Sequence, residues 1–234
     1  PPQTPEGELL STIVWDIGGK ATYALDGGVY SAGSAVNWAM DKLRLFDSIG
    51  QLQGWSVQWL RGEPAGRSKD RVRFVPSLSG IGAPYWNSDF RGVFFGLSHN
   101  TTKEDMAKAL LEGIAHRAAD VLEAMERAAG RPMTVLKVDG GLTANPYLMQ
   151  FQADLLGIPL EAADDPDATA RGVGYMAGRA AGWWDEERLR RLDTAVKRFE
   201  PRLAPELRRQ WRAEWKRWMR LMAEFYKEKT DNAK

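Results

Sequence analysis

The sequence has no cysteine, two histidines and no long apolar run, and each scarcity removes a class of chemistry. Without thiols there are no disulfides and no thiolate metal sites, which agrees with a reducing compartment. With only His99 and His116, a zinc centre or a serine–histidine machinery would have to be built almost without imidazole. No stretch reaches the roughly 20 apolar residues of a membrane-spanning helix, and no signal peptide is visible. Cytoplasm is therefore the expected location. Net charge is nearly absent too. Thirty-two basic and 31 acidic side chains leave +1 over 234 residues, so no overall field points to nucleic acid or a membrane. What remains is a hydrophobic content of 44%, ordinary for a globular chain, and 23 glycines that mark its turns.

Residues 1–8 hold three prolines and no apolar period, and read as a lead-in. Residues 9–15, 21–25 and Val29-Tyr30 predict three short strands. Turns at residues 16–20 and at Asp26-Gly27-Gly28 would join them as a β-meander. A helix is expected over residues 34–45, directly after Gly33, burying Val36, Met40 and Leu43. Residues 46–70 carry little pattern and end in a polar loop from Gly62 to Asp70. A strand at residues 72–75 stops at Pro76. The run SLSGIGAPYWNSDFRG (77–92) predicts a long glycine-rich loop, and long loops inside compact domains are often functional. A strand follows at residues 93–97.

The longest expected helix spans residues 102–129, opened by a capping box of Thr101 and Glu104 and closed by Gly130. Later come a short strand at residues 158–161 and a glycine- and alanine-rich helix at 168–183, preceded by Asp164, Asp165 and Asp167. The tail predicts a helix over residues 205–227 with Leu207, Trp211, Trp215, Trp218, Met222 and Phe225 in one stripe. A basic amphipathic helix can serve a membrane surface or a partner. Here Glu206, Glu214 and Glu224 interrupt the basic face, so the stripe is read as packing on its own domain.

Residues 134–156, TVLKVDGGLTANPYLMQFQADLL, organise the rest. Val135, Leu136 and Val138 predict a buried strand. Asp139-Gly140-Gly141 turns the chain, and Asn145-Pro146 opens a helix with Leu148, Met149, Gln152, Leu155 and Leu156 on its inner face. Two glycines between a strand and a helix can be a plain tight turn. They can also present bare N–H groups to an anion such as phosphate. By itself the motif decides neither.

Five ordered stretches settle which reading to carry forward. VDGGLTANPYLMQFQADLLGIPLE resembles the adenosine-binding segment of the FGGY carbohydrate kinases, the glycerol kinases among them. STIVWDIGGKATYALDGGVYSAGSAVNW resembles the meander and first helix of their C-terminal domain, and VRFVPSLSGIGAPYW its proline- and glycine-rich loop. GVFFGLSHNTTKEDMAKALLE (92–112) fits a family signature, and residues 168–184 resemble the closing small-residue helix. The similarity covers residues 9–185, and residues 186–234 read as a helical extension of one C-terminal nucleotide-binding domain.

The resemblance implies an α/β fold, the ribonuclease H-like domain of actin-like ATPases, with a mixed sheet and without its usual first, central strand. A sheet so interrupted would leave edges unpaired and the chain marginally soluble. It implies ATP with Mg2+ as cofactors and glycerol or a similar polyol as acceptor. It implies nucleotide contacts at Gly33 and Asn37 on the first helix and at Gly140, Gly141 and Asn145 on the central turn. The family carries Gln where this chain has the shorter Asn37. The family's catalytic aspartate and most of its polyol pocket lie in an N-terminal half, so that half is the expected partner. No catalytic or metal-ligating residue is assigned here, and the free carboxylates Asp16, Asp89 and Asp139 read as turn and loop residues. The alternatives are a non-catalytic nucleotide- or partner-binding module and a kinase for another polyol. Neither nucleic acid nor membrane is an expected partner, and homo-oligomerisation is left open.

Overall fold

The computed structural model describes residues 7–62, 71–163, 167–190 and 196–231. Most of the lead-in, the polar loop beyond Gly62 and the Asp164-Asp165 pair lie outside them. The chain opens with a hairpin. β1 (Leu10–Ile17) and β2 (Lys20–Asp26) pair antiparallel across Gly18 and Gly19, which sit at φ 63° and 77°. Two central residues at positive φ make the turn whose twist matches that of paired strands, and glycine enters it without strain.

The expected third strand does not form. Ser31, at φ 64°, bends the chain, and Tyr30 lies edge-on to Trp86 with ring centroids 6.4 Å apart. Tyr30 is claimed by the 77–92 loop instead of a sheet. That loop is itself packed structure. Ile81, Ala83 and Phe90 are buried, and a Cβ on Gly82 would stand 2.4 Å from the carbonyl oxygen of Gly28. Gly82 thus serves close packing against residues 28–30, while Gly80 meets the backbone of Asn87 and Ser88 within the loop.

α1 (Gly33–Asp41) ends earlier than expected, and Leu45 and Phe46 are buried in the connection to α2. α2 (Ile49–Leu60) falls where the sequence shows little apolar period. Its start was nonetheless written in the chain. Ser48 Oγ accepts from the Gln51 backbone N–H at 3.2 Å, and Gln51 Oε1 accepts from the Asp47 N–H at 2.6 Å. The Ser48 contact satisfies a donor that the helix N-terminus leaves open, and the Gln51 contact ties the preceding residue to the helix. Leu52, Ser56 and Trp59 then face the core.

β3 (Arg73–Val75) and β4 (Val93–Phe95) pair antiparallel. α3 (Lys103–Ala129) is the spine of the molecule, with buried residues along almost its whole length. Its capping box is Thr102 with Asp105, one residue later than expected. Both pairs have the right spacing. Asp105 takes the Thr102 N–H at 2.9 Å, while Glu104 accepts from the Trp59 indole at 2.8 Å. Gly130, left-handed, closes the helix as expected. Gly113 lets α3 lie directly on β3, where a Cβ would come within 2.1 Å of the Phe74 carbonyl oxygen.

β5 (Leu136–Val138), α4 (Pro146–Leu156), β6 (Leu160–Ala163) and α5 (Ala168–Ala180) follow, then α6 (Glu186–Arg190), β7 (Val196–Phe199) and α7 (Pro205–Asp231). β5 and β6 are parallel, β6 and β7 antiparallel, so this three-stranded sheet is mixed. α7 packs on its own domain through Trp215, Met219, Met222 and Tyr226, with Trp215 only 1% exposed. The stripe is rotated from the expected one, and Phe225 is 62% exposed. No helix among the described residues is long and apolar enough to cross a membrane.

Candidate functional site

The central turn is built by short-range bonds. After β5 the chain passes Asp139 into Gly140, at φ 91° and ψ 175°, a backbone state open essentially only to glycine. A single 3-10 turn, Gly141–Ala144, then precedes α4. The Gly140 carbonyl oxygen anchors it, accepting from the Thr143 N–H at 3.0 Å and the Thr143 hydroxyl at 2.7 Å. So a 3-10 turn stands between Gly140 and α4.

Asn145 caps α4. Its Oδ1 accepts from the Leu148 N–H at 2.9 Å, and Pro146 takes a position where no donor is needed. Its Nδ2 donates to Ser56 Oγ at 2.9 Å, and Ser56 in turn donates to the Leu52 carbonyl at 2.8 Å. The residue is 7% exposed. The resemblance implies a nucleotide contact at Asn145; in the structure this amide braces α4 against α2. Ser56 is the residue sequence reasoning missed here. The Ser48-x-x-Gln51 spacing that opens its helix is the signal that could have found it.

Gly141 contrasts with Gly140. Its backbone is outside the positive-φ region and nothing lies within 4 Å of where a Cβ would be. Neither strain nor packing inside this chain calls for glycine there. The same holds at Gly33, the first residue of α1. Ala32 precedes that helix without any side-chain cap, and in the first turn the Ala35 N–H bonds the Ala32 carbonyl at 3.2 Å. Asn37 is exposed four residues on, the spacing of one helix face. Gly33, Asn37, Gly140 and Gly141 are all exposed, whereas Asn145 is not. Ala35 and Val36 beneath α1, and Leu142 and Leu148 beneath the turn, belong to one core cluster. The two bare-backbone places thus stand on a common foundation.

Asp16, Asp89 and Asp139 are exposed. Among the described residues no three His, Asp or Glu side chains stand together as metal ligands would.

A cluster of buried charges lies between α3 and α7. Asp120 accepts from Arg117, Arg212 and the Trp215 indole, and Arg212 also donates to Glu123. His116 lies flat on Trp215 at 4.7 Å, and its Nδ1 is 3.2 Å from Arg212 Nη1. Burial, then the neighbouring Arg212 guanidinium, hold its pKa well below the ordinary histidine value. Below about pH 6.5 the unfolded chain binds a proton that the folded one refuses. Stability should therefore fall with pH from that point, by about 1.4 kcal/mol per unit until the folded-state pKa is reached. Urea unfolding at pH 7.5, 6.5 and 5.5 reads the slope. His116→Asn, which offers an acceptor where Nδ1 stands but does not titrate, should flatten it. An unchanged slope would assign the acid sensitivity to other groups.

The chain matches the family model "FGGY family of carbohydrate kinases, C-terminal domain" over residues 3–181. It is 42% identical over 217 residues to a glycerol kinase of Lactococcus lactis subsp. lactis (strain IL1403), covering 92% of this chain and 42% of the relative. Against a glycerol kinase of Bacillus subtilis (strain 168) the values are 41% over 213 residues, 91% and 42%. Among solved structures it resembles Plasmodium falciparum glycerol kinase with ADP, with a TM-score of 0.78 and 29% identity, covering 93% of this chain and 42% of that one. The fold alone is shared with a xylulose kinase from Lactobacillus acidophilus, at a TM-score of 0.70 and 22% identity over 97% of this chain and 43% of the other. The chain spans about 42% of the length of the curated relatives it matches.

Proposed function

The chain belongs to the FGGY family of carbohydrate kinases, as its C-terminal domain, and from that we propose that it is the nucleotide-holding part of an ATP-dependent glycerol kinase. The complete enzyme would transfer the γ-phosphate of ATP to a hydroxyl of glycerol, giving glycerol 3-phosphate. One observation carries the reading. Gly141 is bare where neither backbone conformation nor packing requires it to be. Bare backbone is what lets a polyphosphate approach closely. The similarity to glycerol kinases supports glycerol over another polyol.

In this reading the exposed backbone at Gly140 and Gly141 and the uncapped start of α1 at Gly33 face the nucleotide. Asn37 offers its amide from one turn deeper in α1. Asn145 acts indirectly, fixing the turn through its cap and its bond to Ser56. Phosphoryl transfer depends mostly on positioning and on charge stabilisation. Mg2+, when bound, would neutralise phosphate oxygens. Among the described residues no three His, Asp or Glu side chains stand together to hold it. In this reading residues 9–185 are the kinase core and residues 186–234 an extension, of which α7 packs on the domain.

The other half would supply the base that takes the hydroxyl proton and most of the polyol pocket. The hairpin supports such a partner. Leu10, Ile13, Val14, Trp15 and Tyr23 are all exposed on β1 and β2, more apolar surface than a two-stranded ribbon keeps in water without cover. The expected location is the cytoplasm.

The test is co-expression with a candidate N-terminal half, followed by a coupled assay of ATP consumption. Glycerol-dependent turnover is expected from the pair and none from this chain alone. Turnover by the isolated chain would sink the division of labour. Loss of the product when the pair folds and binds ADP would favour the non-catalytic alternative.

A further inference from the structure

A cavity of about 410 Å³ opens between α7, the last third of α3 and the C-terminal end of α4. It lies at the far end of α4 from Asn145, roughly 15 Å along the helix. Its floor is apolar, from Leu122, Leu155 and Ile158. Arg208, Arg209, Lys216 and the buried Arg212 line it as well, while among the described residues Glu123 and Glu126 are its acidic lining residues.

Both acids are already engaged. Glu123 accepts from Arg212 at 2.8 Å and pairs with Lys216 at 2.7 Å. Glu126 accepts from the Met133 N–H at 2.7 Å. Arg208 donates to the Leu156 carbonyl at 3.1 Å and faces no carboxylate within salt-bridge range among the described residues. Arg209 pairs with Glu206 at 2.9 Å, but the two side chains are 67% and 76% exposed, so water and salt screen that pair. The lining therefore keeps two guanidinium groups whose charge is poorly answered, above a hydrocarbon floor. Guanidinium forks match phosphate oxygens, and apolar floors hold hydrocarbon.

We propose that this cavity binds an amphipathic phosphate monoester, its dianionic head between Arg208 and Arg209 and its apolar body on the floor. The site is separate from the nucleotide face and does not depend on that reading.

Calorimetric titration of the purified protein tests it, with octyl phosphate below its micelle concentration as the probe. Inorganic phosphate, octanol and octanoate are the comparison arms. One equivalent of octyl phosphate should bind at least about 10-fold tighter than any of the three, since a charge-assisted bond to each arginine is gained together with the floor. Arg209→Glu, at an exposed position, should weaken binding by about 10-fold or more. Ala213→Trp, which fills the cavity from α7, should abolish it; thermal melts confirm that both variants fold. Octanol binding equally well would leave only an apolar patch. Inorganic phosphate binding equally well would leave only charge. Affinity unchanged in both variants would place the probe elsewhere, for example on the exposed hairpin. Each of these, or no binding at all, overturns the proposal.

Discussion

Asp120→Ala should lower the stability of the domain by about 3–5 kcal/mol, a large share of the roughly 5–15 kcal/mol a domain usually has. Asp120 is 3% exposed and sits between α3 and α7. Its Oδ2 accepts from Arg117 Nη1 at 2.7 Å and from the Trp215 indole at 3.0 Å, and its Oδ1 accepts from Arg212 Nη2 at 2.7 Å. Removing the carboxylate leaves two guanidinium groups in a buried place with one acceptor fewer each. Arg117 keeps the Ala83 carbonyl at 2.6 Å, and Arg212 keeps Glu123 and the His116 carbonyl. Neither remaining set balances the lost charge at Arg117. Arg212 still faces Glu123, but the Arg117 charge is stranded among the described residues, and a buried charge left without its partner costs more than the pair contributes when intact. Asp120→Asn keeps an acceptor and should cost less. Urea unfolding of both variants at pH 7.5 gives the two numbers. A loss below about 1 kcal/mol for the alanine variant would mean that the aromatic stripe of α7 holds the helices together unaided.

That network shows where the sequence is readable and where it is not. Trp211, Trp215 and Met222 recur at helical spacing, so the existence of α7 and its packing on the domain could be read directly. Its rotation could not. The buried edge includes Arg212, a residue that looks like solvent-facing charge until Asp120 and Glu123 are seen opposite it. β7 was invisible for a related reason. Lys197 and Arg198 occupy half of its four positions, and Arg198 bonds Glu161 on the neighbouring strand and Glu200. α2 hides its core face behind Ser56, a small polar residue whose hydroxyl is satisfied by the Leu52 carbonyl. The reverse error occurred at Val29-Tyr30, which has strand composition but is drawn into the aromatic loop.

At the candidate site, local chemistry was legible and direction was not. Asn145-Pro146 announced a helix start and the glycines announced a turn, both correctly. That Asn145 turns inward depends on Ser56, 89 residues earlier in the chain. No local pattern encodes a contact of that separation.

Gly141→Val should weaken nucleotide binding by about 100-fold, some 2.7 kcal/mol, while leaving the domain folded. The separation of the two effects is what makes this substitution informative. At Gly140, φ of 91° and ψ of 175° would strain any side chain, so Gly140→Ala should cost stability, by about 1–3 kcal/mol. At Gly141 no such strain arises and no atom stands within 4 Å of the new Cβ. A valine there meets only what lies in front of the turn. If that is a polyphosphate, three carbon atoms now fill the space through which backbone and phosphate approached each other. Gly141→Ala, with one carbon, should fall between parent and valine. ADP titration of the protein assembled with a candidate N-terminal half, beside a urea melt of each variant, reads both quantities. Equal ADP affinity in parent and Gly141→Val, with both folded, would remove the nucleotide from this turn. A valine variant that loses stability as Gly140→Ala does would instead show that the open space at Gly141 belongs to the fold. The graded outcome, with affinity falling from glycine to alanine to valine at constant stability, is the one that a phosphate-facing turn requires.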